Sequence, residues 1–558
     1  MKQVTFFLAL LLAFLPLLGE APIPNKSQIS YLMQAKEVEK SIALYFRYKK
    51  HKGSHDFEVL QQMAFILLDE GARSKDRESE LLSIYGSGIA GAACSYDILD
   101  AGIKSQYAET QVAAIQFLGG LQDDRSDELL IKAMSSDFFF ARMEAALQLA
   151  GRKHRASVGQ IESLMYRVPP PARFFFPQFF ALIGTTDAIA ILRDLMEDRY
   201  ASVRVEALLS AARFGRDDLL PSIRMNITHV NVAEQEASAY AVGLLKDSSS
   251  LKKLKRLFNS APSNVQIAAA HSLYILGDKM AKDYLLSKAK DGDLFAIATL
   301  AGVPEGKSLL AELCKNTDIA IRTNAALSLI KHRDRRCIPA ILDILIRDVR
   351  DLGLQPQFSL GRTLLAFKPV YSASQKSEGT YNIPSVTLTV REQLLVDAMN
   401  LGEEDFLRIA DLIFASKQTE LVPTLVTLLQ SLQTQRSIEL LKRRAQEAGL
   451  PLIRAYCNLA LYKMGHDGNC EKALKEWIDR NKNSEMIRFR PLVPLDQRLS
   501  DSPHELTPED SSKLLIEAYQ ALAQRQQESS IDTLLASIQQ GTPKNRYVLA
   551  GLLLRALQ

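Results

Sequence analysis

The residues that could do chemistry in this 558-residue chain are few and scattered. His51 and His55 stand four apart, a spacing that can place two imidazoles on one helical face for a metal ion. Gly53 and Ser54 lie between them and argue against a helix there, so no metal site is expected. The five cysteines are Cys94, Cys314, Cys337, Cys457 and Cys470, an odd count that leaves at least one unpaired within the chain. Cys457 and Cys470 share one helical hairpin, but the first lies about nine residues before its turn and the second about four after it, an axial offset of several ångströms. Free, buried thiols are the expectation. No CxxC, HExxH, GxSxG, phosphate-binding loop or dinucleotide fingerprint is recognised. His332 and His466 fall at turns. The chain is expected to have no catalytic residues, no cofactor and no metal.

Cations recur where nucleophiles do not. Arg142, Arg173 and Arg204 are spaced by 31 residues, and Arg322 and Arg454 hold the same place in later units. Such a column could bind phosphate or acidic groups. A second set, Arg193, Arg224 and Lys255, is again spaced by 31, with Lys132 and Arg256 one position along and Glu162 interrupting the series. This strip would suit an acidic protein partner, and its alternative is a solvated face. Phe175 and Phe179, one helical turn apart after the "PPP" of 169–171, occupy positions that in other units are mostly small or polar. Exposed, they make an apolar partner spot; tucked under a loop, they are local packing.

These spacings come from an internal repeat. Stepping by 31 from the arginines gives Gln111 on one side and Gln235 and Gln266 on the other, six units without insertion, followed by looser units anchored at Asp293 and Arg322. Three residues after the anchors stand Ala114, Ala145, Phe176, Ala207, Ser238, Ala269, Ala296 and Ala325. Apolar residues at +3, +7 and mostly +10 make one helical face, turn-formers stand at +11 and +12, and a second apolar face appears at +19. Each unit is therefore helix, tight turn, helix. A lone hairpin cannot bury its apolar face, whereas a stack can, and the small +3 column lets neighbouring backbones approach.

"VRVEALLSAARFG" (203–215) and "VQIAAAHSLYILGD" (265–278) carry the pattern best, with "IRTNAALSLIKHRD" (321–334) and "IRAYCNLALYKMGHD" (453–467) close behind. The pattern resembles the HEAT repeat, in the short form of phycobilisome-lyase-like proteins. The resemblance implies an all-α, armadillo-type α-solenoid of stacked helical hairpins that binds a protein partner. It also implies that the anchor column, Arg142, Arg173, Arg204, Arg322 and Arg454, links adjacent repeats by hydrogen bonds, and that the second helices, with the basic strip, line a groove. The segment "SDFFFARMEAALQLAGRKHRA" (136–156) is similar to exported repeat proteins of obligate intracellular bacteria.

The expected divisions are a signal peptide at 1–19, an atypical helical cap at 25–106, the regular array at 107–350, an irregular insertion at 351–390, a second helical segment at 391–480, a linker at 481–506 and a helical cap at 507–558. The signal rests on "VTFFLALLLAFLPLL" (4–18), too short to span a bilayer and followed by Gly19. Within the insertion, "SASQKSEGTYNIPS" (372–385) reads as loop and "VTLTV" (386–390) as a short strand, giving a mobile loop or a β-hairpin on the solenoid. Thr507-Pro508-Glu509-Asp510 reads as a helix N-cap with proline at the first helical position.

A net charge of +4 is mild for this length, and with the export signal it argues against a nucleic-acid partner. The expected protein is exported, periplasmic or secreted, without a stable membrane span, and serves as a non-catalytic protein-binding scaffold. The alternatives are a lyase-like enzyme or enzyme accessory, which needs an enclosed pocket with titratable groups, and a phosphate- or nucleic-acid-binding groove.

Overall fold

The computed structural model describes residues 24–558 apart from 92–94, 348–352, 371–382, 417–418, 448, 467–468, 492–505, 510–512 and 526. The signal segment 1–19 and Cys94 lie outside the described residues. The fold is an all-α solenoid of stacked helical hairpins, with two short antiparallel strand pairs among the described residues. Among the described residues no helix is long and apolar enough to cross a membrane. The chain forms two compact units, one of residues 145–474 and one of 1–144 together with 475–558.

In the 145–474 unit the repeat sets the packing. The anchor helices, Ala201–Arg213, Val232–Leu244, Ser263–Ile275, Leu294–Thr299 and Ile319–Lys331, pack on one another in order. Ala207, Ser238, Ala269, Ala296 and Ala325 of the small column are all fully buried where these helices meet. Each anchor helix is backed by a companion: Leu220–Asn226, Leu251–Ser260, Lys279–Lys290, Lys307–Leu313 and Ile338–Ile346. Strands β1, Gly353–Phe358, and β2, Leu365–Val370, interrupt the stack as an antiparallel hairpin in which Gly353 faces Val370 and Phe358 faces Leu365.

The sequence places a strand at 386–390, and the structure does not. Those residues belong to the helix Ile383–Ala398. The β-branched run costs a few tenths of a kcal/mol per residue in a helix. Burial of Thr387, Leu394, Leu395 and Ala398 along one side outweighs that.

The other unit is built from both ends of the chain. Of its C-terminal helices, Glu528–Gln540 packs on Val38–Lys52 and Asn545–Ala556 on Phe57–Ala72 and Arg77–Ala90, while Lys513–Gln524 packs on those two, so they do not stand apart as a separate cap. Asn545–Ala556 crosses Arg77–Ala90 at glycine: a Cβ on Gly551 would stand 1.9 Å from the carbonyl oxygen of Gly86. Thr507–Glu509 is no helix start; it lies in strand β4, Leu506–Glu509, paired with β3, Arg488–Pro491. Proline pushes the residue before it toward extended conformations, which suits Thr507 to a strand.

Candidate functional site

The anchor column first. Arg142, Arg322, Gln111 and Gln235 each donate to the backbone carbonyl six residues earlier, on Ser136, Asn316, Ser105 and His229, at 2.6 to 2.7 Å. Arg204 makes the same bond to Asp198 and also reaches the buried Glu234 at 2.6 Å. Arg173 lies over the Tyr166 ring, 3.9 Å from the Asp198 carboxylate. Arg454 is exposed. Where these bonds form, the anchor side chain closes the loop leading into its own repeat, and its charge is spent on carbonyls and carboxylates.

The basic strip resolves into ion pairs between repeats. Arg224 grips Asp247 through Nε and Nη2, both at 2.8 Å, and Lys255 meets Asp278 at 2.9 Å. Each partner is 23 residues on, at the +12 turn of the next unit, where it also caps the companion helix or its lead-in turn. The Arg224 guanidinium, with Ser249 and Ser250, holds the Asp247 carboxyl well below the usual carboxylate range; Lys255 lowers that of Asp278 in the same way. Arg193 is exposed, and its position 23 residues on is Arg216 instead of an acid. Arg216 donates to the carbonyls of Ala181 and Leu182. The strip is thus two inter-repeat staples and one exposed arginine, all on companion helices.

The aromatic pair separates. Phe179 is 2% exposed, edge-to-face with Phe176 at 5.7 Å, so it is packing and not a partner spot. Phe175 is 45% exposed with its ring 4.0 Å from that of Phe174.

The most organised polar site is one that the sequence reading missed. Glu236, in Val232–Leu244, is fully buried. Its carboxylate accepts from Ser359 Oγ, from Gly361 N at 3.0 Å and from Thr363 Oγ1, three donors in the loop joining β1 to β2. Gly361 is required here, since a Cβ would stand 2.7 Å from the Ala233 carbonyl oxygen and 2.8 Å from Glu236 Cβ. Some 88 residues along the chain from Glu236, counted as 324 − 236, the Asn324 side chain holds strand β2 by its backbone. Its Nδ2 donates to Phe367 O at 2.7 Å and its Oδ1 accepts from Phe367 N at 2.8 Å. Two anchor helices thus hold a turn and a strand of their own chain. A signal was available: the +1 column reads Val112, Met143, Phe174, Val205, Ile267, Leu294, Thr323 and Ala455, and only Glu236 breaks it with a charge.

Ser359 N donates to Leu364 O at 3.1 Å, so Leu354, Pro356 and Phe358 alternate outward on β1, and Leu365, Phe367 and Pro369 outward on β2. Of the outward amides, Leu354 N is bonded to Thr387 Oγ1 at 2.8 Å and Phe367 N to Asn324, while two positions are prolines without one. These four positions offer no free amide to an added strand. Phe358, Leu360 and Leu365 remain exposed.

A cleft of about 620 Å³ is lined by Lys442, Asn458, His466, Asn469 and Cys470, among others. Cys470 begins the helix Cys470–Asn481. Cys314, Cys337, Cys457 and Cys470 are thiols outside any disulfide, and burial pushes the first three up to about 12. His55 is buried in the other unit, its Nδ1 3.0 Å from Tyr45 Oη and its Nε2 2.9 Å from Lys49 Nζ. Among the described residues no cluster of metal ligands forms. A literal Gly-x-Gly-x-x-Gly at 86–91, overlooked in the sequence, runs through the end of the helix Arg77–Ala90 with no strand before it; Gly86 serves the helix crossing.

No family model matches the chain, and no curated protein matches it. Solved structures do. The complex of CpcE and CpcF of phycocyanin lyase from Nostoc sp. PCC7120 is 18% identical over 38% of this chain and 92% of that one, with a TM-score of 0.30. Kap121p, a karyopherin, is 14% identical over 92% of this chain, with a TM-score of 0.39. This chain spans only 64% of Kap121p. UNC-45 from Drosophila melanogaster is 12% identical, covering 96% of this chain and 82% of that chain, at 0.33. These are helical proteins of the HEAT/ARM-repeat kind.

Proposed function

We propose that this protein is a binding scaffold for other proteins, acting by surface contact and without chemistry of its own. The observation that carries the reading is that two anchor helices hold polypeptide of the same chain, Glu236 a turn and Asn324 a strand backbone, which gives the anchor-helix face a working mode of polypeptide recognition. Export to the periplasm or beyond belongs to the same proposal. It rests on the apolar 4–18 segment and on the resemblance of 136–156 to exported repeat proteins of obligate intracellular bacteria. The phosphate or nucleic-acid alternative loses support, since two of its three cations are paired with aspartates.

The test is cross-linking of residues 20–558, used as bait in extracts of the source cell and its surroundings, with the sites mapped by mass spectrometry. Cross-links to a partner should concentrate on the hairpin and the anchor helices. A partner that instead depends on Arg193, Arg224 and Lys255, and is lost from their glutamate triple variant at unchanged helicity, refutes this assignment of the surface.

A second reading, a lyase-like enzyme or accessory, draws on the cleft with His466, Cys470 and Lys442. Loss of the chain's biological effect in Cys470→Ser, with partner capture intact, would favour it.

A further inference from the structure

We infer that the contact between the helices Val38–Lys52 and Glu528–Gln540 is a pH-sensitive latch, held shut by neutral His55 and loosened when that imidazole takes a proton. Both helices belong to the unit built from the two chain ends. The latch stands independently of the scaffold reading.

The seam between these helices has a clasp toward each end. At one, Gln539 donates to the Glu39 carbonyl at 3.1 Å, and Arg546 pairs with the Glu39 carboxylate. At the other, Lys49 holds both oxygens of Asp532, at 2.8 and 2.9 Å, and stands 4.0 Å from Glu528. His55 completes this second clasp. Its side chain is 1% exposed, with Nε2 3.3 Å from Asp532 Oδ1 and 3.4 Å from the Glu528 carbonyl oxygen. A guanidinium keeps its charge at every physiological pH, so it is the imidazole that titrates near neutrality.

The bonds around the ring fix its protonation. The Lys49 ammonium has only protons to give, and at 2.9 Å it bonds Nε2 while that nitrogen carries none. The ring proton then sits on Nδ1 and is donated to Tyr45 Oη at 3.0 Å. The same hydroxyl oxygen accepts from the Asp56 amide at 3.1 Å. A second proton must land on Nε2, where it evicts Lys49. It also sets imidazolium and ammonium against each other for one Asp532 carboxylate, in a place that gives the ring almost no water.

The other charges nearby are committed elsewhere. Against the cost of burial, Lys52, Tyr48, the Val59 amide and Lys26 hold the Asp56 carboxyl well below the ordinary range. Glu58, on the helix Phe57–Ala72, pairs with Lys26 at 2.6 Å. Lys475 reaches Ser529, beside Glu528, at 3.1 Å and adds positive charge to the same end of the seam. Burial first, and Lys49 second, lower the His55 imidazole from its ordinary value against the pull of Asp532 and Glu528.

The test is hydrogen exchange of the chain of residues 20–558 at pH 7.5 and 5.5, read by peptide mass spectrometry with labelling times scaled for intrinsic exchange. A closed state that excludes a proton opens about tenfold more readily for each pH unit below the free imidazole value of about 6.5. Protection in 45–57 and 528–534 should therefore fall about five- to tenfold at pH 5.5. The fall should not depend on low urea, the mark of a local opening that exposes little surface. Protection in 201–213, in the other unit, should not change. His55→Gln should flatten the difference, whereas His51→Gln, an exposed histidine on the same helix as Lys49, should leave it whole. Lys49→Gln removes the competing cation and lets protonated His55 pair with Asp532, so the fall should shrink or reverse. This variant carries the test if His55→Gln does not fold, and an undiminished fall in it refutes the competition for Nε2. Protection that is unchanged or higher at pH 5.5 in wild type refutes the latch, because imidazolium and Asp532 would then close the seam. So does an equal fall in His55→Gln, or one that grows with urea in step with 545–556, which would be unfolding of the whole unit.

Discussion

Replacing Gly551 by alanine sets two physical effects against each other. Alanine is better than glycine in a helix interior by about 1 kcal/mol, so propensity alone makes Gly551→Ala stabilising. The structure demands the reverse. The new Cβ would stand 1.9 Å from the Gly86 carbonyl oxygen and 2.6 Å from its carbonyl carbon, both backbone atoms that no rotamer change can move. Restoring ordinary contact near 3.4 Å separates the helices Arg77–Ala90 and Asn545–Ala556 by 3.4 − 1.9, or 1.5 Å. A gap of about 1 Å already forfeits a quarter to a half of each dispersion contact, and overpacking of this kind costs about 1–3 kcal/mol. Taking about 3 against a gain of about 1, the net loss is about 2 kcal/mol. With an m-value of about 2 kcal/mol per molar, the urea midpoint falls by about 1 M. Trp477, the only tryptophan, lies in the unit built from the two chain ends and reports its unfolding by fluorescence. Gly120→Ala, where a Cβ meets nothing within 4 Å, is the control and should not destabilise. An unchanged or raised midpoint in Gly551→Ala refutes the crossing, and with it the claim that the chain ends fold as one body.

Further outcomes follow from the ionisable groups. Asp247→Ala removes a helix-lead cap and the partner of Arg224 together, and should cost about 1–2 kcal/mol in urea unfolding followed by circular dichroism. Because the Asp247 carboxyl is depressed in the folded state, its stabilisation is present above the unfolded carboxylate range and is lost as pH falls below about 4. The variant should therefore show a shallower acid loss, and an equal one would contradict the staple. His55 behaves with the opposite charge. Burial, aided by Lys49 and opposed by Asp532 and Glu528, lowers its imidazole below 6.5, with the Tyr45 hydroxyl on its other nitrogen. Its neutral form is favoured by folding, so stability is kept above about pH 6.5 and lost as pH falls below it. The Trp477 midpoint should drop between about pH 7.5 and 5.5, less so in His55→Gln; a rise on acidification contradicts the assignment. Among the described cysteines Cys470 should alkylate first under native conditions, with Cys314, Cys337 and Cys457 silent by peptide mass spectrometry. Equal labelling of Cys457 would mean that its repeat opens.

Much of the solenoid is legible because the repeat writes each packing rule several times. The small +3 column and the +19 column need no knowledge of tertiary structure, since periodicity alone implies that neighbouring units share a face. What depends on one contact was not legible. "VTLTV" has strand propensity, and nothing local announces that Thr387 and Leu394 face the interior. Thr507-Pro508 satisfies a capping rule and a strand rule equally, and the choice was made by β3, distant in sequence. Gly551 and Gly86 show no shared pattern, because a helix crossing between chain ends leaves no period.

The candidate site follows the same logic with a sharper lesson. Recurrence selects structure: Arg142, Arg204 and Arg322 close their own loops, and Arg224 and Lys255 bind aspartates that repeat with them. The pairing was present in the sequence, since Asp247 and Asp278 lie 23 residues after Arg224 and Lys255, while the corresponding position for Arg193 is Arg216. A residue that serves one unit alone must instead interrupt its column. Glu236 does so in an apolar series, and Asn324 follows a threonine at the same column three units later. In a repeat protein the conserved pitch builds the face, and the exceptions to it decide what that face can hold. As such an exception, the buried Glu236 requires donors from a distant segment, and Ser359, Gly361 and Thr363 supply them.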